Sequence, residues 1–168
     1  MQQDSIRKQF EEANPGDEII PGIWIGSQKA ALNRDWLSQH RINSVFNCTK
    51  DIPFHPMSTK KFRIPVDDNL KEEEIRNLEL WSYEIVYKML NEYKAGQPIL
   101  VHCAAGMQRS AASVAMFLIV LKNMKPNEAI AYIRSKRPIA FRPAVNFKAA
   151  IDGFYESYKS DNNRHYFG

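Results

Sequence analysis

The run Ala111-Ala112-Ser113-Val114-Ala115-Met116-Phe117-Leu118-Ile119-Val120 is apolar on every helical face. A helix with no polar side rests either inside a protein or in a bilayer. Extended to Leu121, this one is still far shorter than the roughly 20 residues a bilayer span requires, so other elements must wrap it. Immediately upstream, Ile99-Leu100-Val101 is continuously apolar, the pattern of a strand covered on both faces. A buried strand feeding a buried helix is the centre of a layered unit, and His102 to Ser110 form the loop between them.

The other elements fit around that pair. The β-branched run Ile19-Ile20-Pro21-Gly22-Ile23-Trp24-Ile25, within Glu18 to Ile25, predicts strand broken by a turn. Asn33 to His40 predicts a helix, Asn43 to Thr49 a buried strand, and Lys61 to Val66 a strand ending in the acidic step Asp67-Asp68. Ile75, Leu78, Trp81, Ile85, Met89 and Tyr93 recur at three- or four-residue intervals, which predicts a long helix from Lys71 to Lys94 closed by Ala95-Gly96-Gln97-Pro98. Two more helices are predicted, Asn127 to Lys136 and Val145 to Lys159, the second with Phe147, Ile151, Phe154 and Tyr158 on one stripe. Strands alternating with helices imply an α/β fold, a central, mainly parallel β-sheet flanked by helices on both faces.

At 168 residues the chain fits one such domain, assigned to 18–159. Residues 1–17 form an N-terminal arm in which Ile6, Phe10 and Ala13 follow a candidate Asp4 cap at helical spacing, until Asn14-Pro15-Gly16 stops the pattern. A polar, mobile tail is expected over 160–168. Cys48 and Cys103 are too few for a disulfide framework and form no zinc-type pair, so a reducing compartment is expected. The N-terminus lacks the apolar stretch of a signal peptide, and the expectation is a cytoplasmic protein with no membrane partner. The net charge of +4 suits an anionic substrate but is common in proteins that bind nothing acidic.

The loop His102-Cys103-Ala104-Ala105-Gly106-Met107-Gln108-Arg109-Ser110 opens at the carboxyl edge of the sheet, where ligands bind. Backbone amides of Ala104, Ala105, Gly106, Met107 and Gln108 are free to converge on an anion there, and the dipole of the following helix adds positive potential. A thiol in that field ionises early, its pKa falling from about 8.5 to roughly 3.5–7.5, which makes Cys103 the candidate nucleophile. Gly106 lets the backbone curl through positive φ. Arg109 offers a planar, two-pronged donor that matches two phosphate oxygens, which lysine cannot reproduce.

These residues resemble the Cys-x5-Arg signature of the protein tyrosine and dual-specificity phosphatases, and the resemblance runs from about Glu18 to Tyr158. Ile20-Pro21-Gly22-Ile23-Trp24-Ile25-Gly26-Ser27 looks like the opening strand pair of the small dual-specificity enzymes, and Val66-Asp67-Asp68-Asn69 looks like their general-acid loop. Val101-His102-Cys103-Ala104-Ala105-Gly106 and Ala140-Phe141 are similar to the short poxviral members. The resemblance implies a metal-free, two-step hydrolysis of phosphoproteins, with a shallow cleft that accepts phosphotyrosine and phosphoserine or phosphothreonine. In it Cys103 would form a phosphocysteine intermediate while Arg109 clamps the phosphate. Asp68 would protonate the leaving oxygen and later deprotonate water, and Ser110 would hydrogen-bond the departing thiolate. The family pattern favours Asp68 over Asp67, and alternation along an Arg63 to Asp67 strand sends only one of the pair into the cleft. Asp67 is left to face solvent or cap the Lys71 helix. His102 either orders the loop through its ring or is a plain structural histidine. Where many relatives have an Asn bracing the loop this chain has Ala144, with Asn146 the candidate substitute. Some relatives protect an oxidised nucleophile with a disulfide, which here would pair Cys48 with Cys103. An inert, buried thiol is the other reading of Cys48.

Three rival functions share these residues. A phosphoinositide phosphatase of the superfamily would carry lysines in the loop, where Ala104, Ala105, Met107 and Gln108 stand. An RNA 5′-triphosphatase would have Asn-Arg-Thr-Gly in place of Gln108-Arg109-Ser110-Ala111, which demotes nucleic acid as a partner. A silent phosphate-binding module is opposed by intact Cys103, Arg109 and Asp68. Arg134, Lys136, Arg137 and Arg142 fit either a second-phosphate site or a solvated basic surface. The arm around Ile6 and Phe10 could dock on a second subunit to make a homodimer, as in small relatives that dimerise through an N-terminal helix, or fold back.

Overall fold

The computed structural model describes residues 2–160 and Phe167. Its five strands are β1 (Gly16–Ile20), β2 (Ile23–Gly26), β3 (Ser44–Asn47), β4 (Lys60–Arg63) and β5 (Ile99–His102), in the sheet order β1-β2-β5-β3-β4. β1 and β2 form an antiparallel hairpin whose turn residue Gly22 has φ 88° and donates its amide to Glu18 Oε2 at 3.0 Å. The other pairs are parallel, with Asn47 opposite both Arg63 and His102.

Parallel strands require crossovers, and the crossing helices cover both faces. α2 (Gln28–Ala31) and α3 (Arg34–Gln39) lie on one side, and α4 (Glu72–Lys94), α5 (Arg109–Leu121), α6 (Pro126–Lys136) and α7 (Lys148–Lys159) on the other, with α1 (Gln2–Glu12) leading in. Side-chain alternation divides the core accordingly. Leu100 and Trp24 pack with Ala31, Leu37, Trp36 and Ile42, whereas Ile23, Ile25, Ile99 and Val101 join the larger cluster. α5 is buried from Ser110 to Ile119 and is enclosed by β5, β2, α4, α6 and α7, as its lack of a polar face demanded.

Several boundaries differ from the sequence expectation. β4 stops at Arg63, not Val66: Ile64 still donates its amide to Asn47 O at 2.9 Å, but Pro65 has no N–H with which to continue the ladder. Asp67 and Asp68 therefore lie beyond the strand, and strand alternation does not set their directions. Asp4 lies in the first turn of α1 instead of capping it. β1 begins at Gly16, so the end of the expected arm is already sheet. The last helix starts at Lys148, after a turn closed by Lys148 N donating to Val145 O at 3.3 Å. Most of the expected tail, 161–166 and 168, lies outside the described residues. Within it, Phe167 packs against the core, its ring stacked on Tyr83 at 5.5 Å. Among the described residues no helix is long and apolar enough to cross a membrane.

Phe117 is fully buried in α5, with Tyr93 edge-on to its ring at 5.6 Å. Phe117→Ala should destabilise the protein by about 3–5 kcal/mol and lower the thermal midpoint by roughly 6–20 °C. Leu80 is 78% exposed on α4, and Leu80→Ala should change stability by less than about 0.5 kcal/mol. Melts followed by circular dichroism check both.

Candidate active site

β5 carries His102 and Cys103 to the carboxyl edge of the sheet, and the chain then turns through Ala104–Gln108 into α5. The four carbonyls from Ala104 to Met107 are held from outside. Ala104 O accepts from Gln28 N at 3.0 Å and Met107 O from Phe141 N at 2.8 Å. Ala105 O and Gly106 O accept from Arg137 Nη2 and Nε at 3.2 and 2.8 Å. A trans peptide plane points its N–H opposite its C=O. Anchoring the carbonyls outward therefore turns the amides of Ala105, Gly106, Met107 and Gln108 toward the inner side of the turn, above Cys103. Gly106 has φ 68°, and a Cβ there would meet the backbone of Gly26 at 2.6 Å, so both conformation and space require glycine.

Cys103 is 2% exposed. Burial pushes its thiol up, but the Arg109 guanidinium, the Ser110 hydroxyl and the amides of Ser110 and Gly106 outweigh burial, and its pKa lies below the ordinary thiol value. Ser110 Oγ sits 3.2 Å from Cys103 Sγ. Arg109 Nη1 donates to Val66 O at 3.0 Å, while its Nε is buried with no hydrogen-bond partner among the described residues. Arg109 thus joins the Cys103 loop to the segment that carries the two aspartates.

That segment separates the two carboxylates. Asp67 pairs with Lys50 at 3.0 Å, and Lys50 also meets Glu74 at 2.7 Å. Glu74 accepts the Asp67 amide at 3.0 Å, and its carboxyl is held below the usual range by Lys50 and by that amide. Asn77 Nδ2 donates to Pro65 O at 3.1 Å. Asp67 is therefore tied to Lys50 rather than capping α4, and Asn69 Oδ1 accepts from the amide of Lys71, just ahead of the helix, at 3.0 Å. Asp68 is exposed and turns the other way, its Oδ1 accepting from Asn146 Nδ2 at 2.9 Å.

Asn146 does not take over the bracing expected of it through its side chain. The Gln108 side chain braces the loop: Nε2 donates to Arg142 O and Ala144 O at 3.1 and 2.8 Å, and Oε1 accepts from Asn146 N at 3.0 Å. The expected basic cluster also divides. Arg137 is fully buried, Arg134 donates to Phe141 O at 2.6 Å, and only Lys136 and Arg142 are exposed. The sequence reading missed the Gln108 side chain, Arg137 and Asp17. An arginine beside lysine and proline looks like surface, and Arg137 meets Asp17 from 120 positions away.

His102 is fully buried, with Nδ1 3.3 Å from Cys103 O and Nε2 unpartnered among the described residues. Burial pushes its imidazole down to about 4, so the ring is neutral. Cys48 lies at the end of β3, its amide donating to His102 O at 2.8 Å. Burial pushes its thiol up to about 12, against the pull of the Ser113 hydroxyl at 3.5 Å. Both cysteines are free thiols.

An acidified thiol beneath an amide-lined loop, with an arginine alongside and a carboxylate on the facing segment, gives the α/β domain an arrangement suited to cysteine-based chemistry on an anion. The chain belongs to the family described as "Dual specificity phosphatase, catalytic domain", whose family model matches residues 23–157. Mus musculus dual specificity protein phosphatase 8 is 29% identical over 143 residues, 84% of this chain and 21% of that protein. Homo sapiens dual specificity protein phosphatase 16 is 30% identical over 145 residues, again 84% of this chain and 21% of that protein. The chain thus spans about a fifth of the length of these relatives. The solved structure of human DUSP28 shares the fold, with a TM-score of 0.75 at 24% identity over 88% of this chain and 97% of that one.

Two outcomes follow from the titration of the buried groups. At neutral pH, iodoacetamide should label Cys103 and spare Cys48, as read by peptide mass. The unfolded imidazole of His102 binds a proton near 6.5 and the folded one only near 4. Between those values the unfolded chain holds the extra proton, so stability present above pH 6.5 is lost as the pH falls toward 4, by up to about 3 kcal/mol. Urea melts across that window should show the loss, and His102→Asn should remove most of it.

Proposed function

We propose that this chain hydrolyses phosphate monoesters on phosphoproteins through a phosphocysteine intermediate. The observation that carries the reading is the depressed Cys103 thiol, set among inward amides and beside Arg109. The Cys103 thiolate attacks phosphorus, and an S–P bond forms as the P–O bond to the substrate breaks. Asp68 gives its proton to the leaving oxygen, and Arg109 with the loop amides takes the charge of the three remaining oxygens. A water deprotonated by Asp68 then attacks phosphorus, the S–P bond breaks, and Ser110 donates a hydrogen bond to the departing thiolate. Phosphate is released, and the thiolate and protonated Asp68 are restored.

The substrate class is read from the rim. Apart from Arg109 no loop side chain is cationic, and the Gln108 amide is already engaged with Arg142, Ala144 and Asn146. Such a loop suits one monoester group better than a multiply phosphorylated head group. Asp68 stands exposed, which suits access for both phosphotyrosine and the shorter phosphoserine or phosphothreonine. The thiolate needs a reducing setting, and the cytoplasm is the compartment proposed.

Cys103→Ser should abolish turnover of an aryl phosphate while inorganic phosphate still binds, because serine does not ionise in this field. Asp68→Asn should cost about 100- to 10,000-fold, and more for poor leaving groups than for nitrophenol, whereas Asp67→Asn should not show that dependence. Activity lost to a metal chelator, yet retained in Cys103→Ser, would overturn the mechanism.

A further inference from the structure

One side chain from the end of α6 meets two carbonyls of the turn above Cys103. Arg137, at the end of α6, is fully buried. One edge of its guanidinium meets Gly106 O and Ala105 O through Nε at 2.8 Å and Nη2 at 3.2 Å. From the opposite side Nη1 meets Asp17 Oδ2 at 2.7 Å and Asn14 O at 2.9 Å. Asn14 Nδ2 holds the second Asp17 oxygen at 2.8 Å.

The geometry acts through two peptide planes. Ala105 C=O and Gly106 N–H are opposite ends of one plane, and the Gly106 amide is among the groups that lower the Cys103 thiol. Pulling Ala105 O toward Arg137 therefore aims that amide at the thiolate. The next plane is fixed in the same way: Gly106 O is drawn to Nε, which turns the Met107 amide inward. A rigid fork can hold two adjacent carbonyls at once, and an ammonium cannot. A buried guanidinium is costly without a counter-charge, which Asp17 supplies. Gly106 fits the arrangement too, since a Cβ there would stand 2.8 Å from Arg137 Nη2.

We propose that Arg137, held in place by Asp17, is a positioning residue of the active site that sets the peptide planes whose amides receive the transferred phosphoryl group. Segment 14–17 is then a working part of the site, although it precedes the 23–157 stretch matched by the family model. The proposal rests on the phosphatase reading given above.

Asp17→Asn keeps a hydrogen-bond acceptor and removes the charge, and Arg137→Lys keeps the charge and removes the fork. Both variants should raise the inhibition constant for inorganic phosphate and lower kcat/KM on an aryl phosphate by roughly tenfold to a hundredfold, the range for a displaced amide donor. Both should also move the midpoint of Cys103 alkylation against pH upward, because an amide that favours the thiolate is lost. Asp17→Glu should recover part of each loss. Ile130→Val, in the α6 core but away from the loop, should lower the thermal midpoint without moving the alkylation midpoint. If Asp17→Asn is less stable yet keeps the wild-type alkylation midpoint and phosphate affinity, the pair is only a structural tie and the proposal fails. Should Arg137→Lys not fold, Asp17→Asn decides alone. A wild-type protein that binds phosphate without hydrolysing any ester would refute the phosphatase reading, while the alkylation and phosphate-binding readouts would still decide the role of Arg137.

Discussion

Four backbone carbonyls, from Ala104 to Met107, are held on the outer side of the Cys103 turn, and the chemistry of the inner side depends on it. A loop that spent its own amides on its own carbonyls would have none left for a ligand. Here the donors come from elsewhere: the start of α2 through Gln28, the end of α6 through Arg137, and the following connection through Phe141. Each buried carbonyl left unpaired would cost about 1–3 kcal/mol, so the turn takes this shape only when the whole domain has folded around it.

The two cysteines show what that shape does. Both are buried, and burial alone pushes a thiol up. Cys48 has only the Ser113 hydroxyl and the more distant charge of Arg109 to oppose burial, and its thiol stands at about 12. Cys103, at the end of the adjacent parallel strand, has Arg109, Ser110 and two backbone amides, and its thiol falls below the ordinary value. The difference lies in the donors aimed at each sulfur.

The facing segment is fixed by the same means. Pro65 ends the β4 ladder, and Val66 O, Pro65 O and the Asp67 amide are then held by Arg109, Asn77 and Glu74. Lys50 takes Asp67, so two adjacent carboxylates end with different partners and Asp68 alone reaches Asn146. Arg109 belongs to the Cys103 turn and bonds Val66 O of this segment, which ties the thiol side of the site to the carboxylate side.

The α/β order was legible in the sequence because burial leaves a periodic mark: the faceless Ala111–Val120 helix, the apolar Ile99–Val101 strand and the α4 stripe are local patterns of side-chain chemistry. The Cys103 loop was legible for a similar reason, since a thiol, a glycine and an arginine at fixed spacing are constrained by one short turn. What surrounds the loop carried no such mark. Asp17 and Arg137 are 120 positions apart, and Arg137 sits among Arg134, Lys136 and Arg142 with nothing local to set it apart. The division of Asp67 from Asp68 depends on Lys50 and Asn146, which meet them only across the folded domain. Sequence by itself determined which elements form and which residues are candidates for the chemistry, because those follow from local sterics and burial. Only the tertiary structure decided which polar groups hold them in register, because a hydrogen bond between distant segments obeys the geometry of the closed fold and leaves no periodicity along the chain.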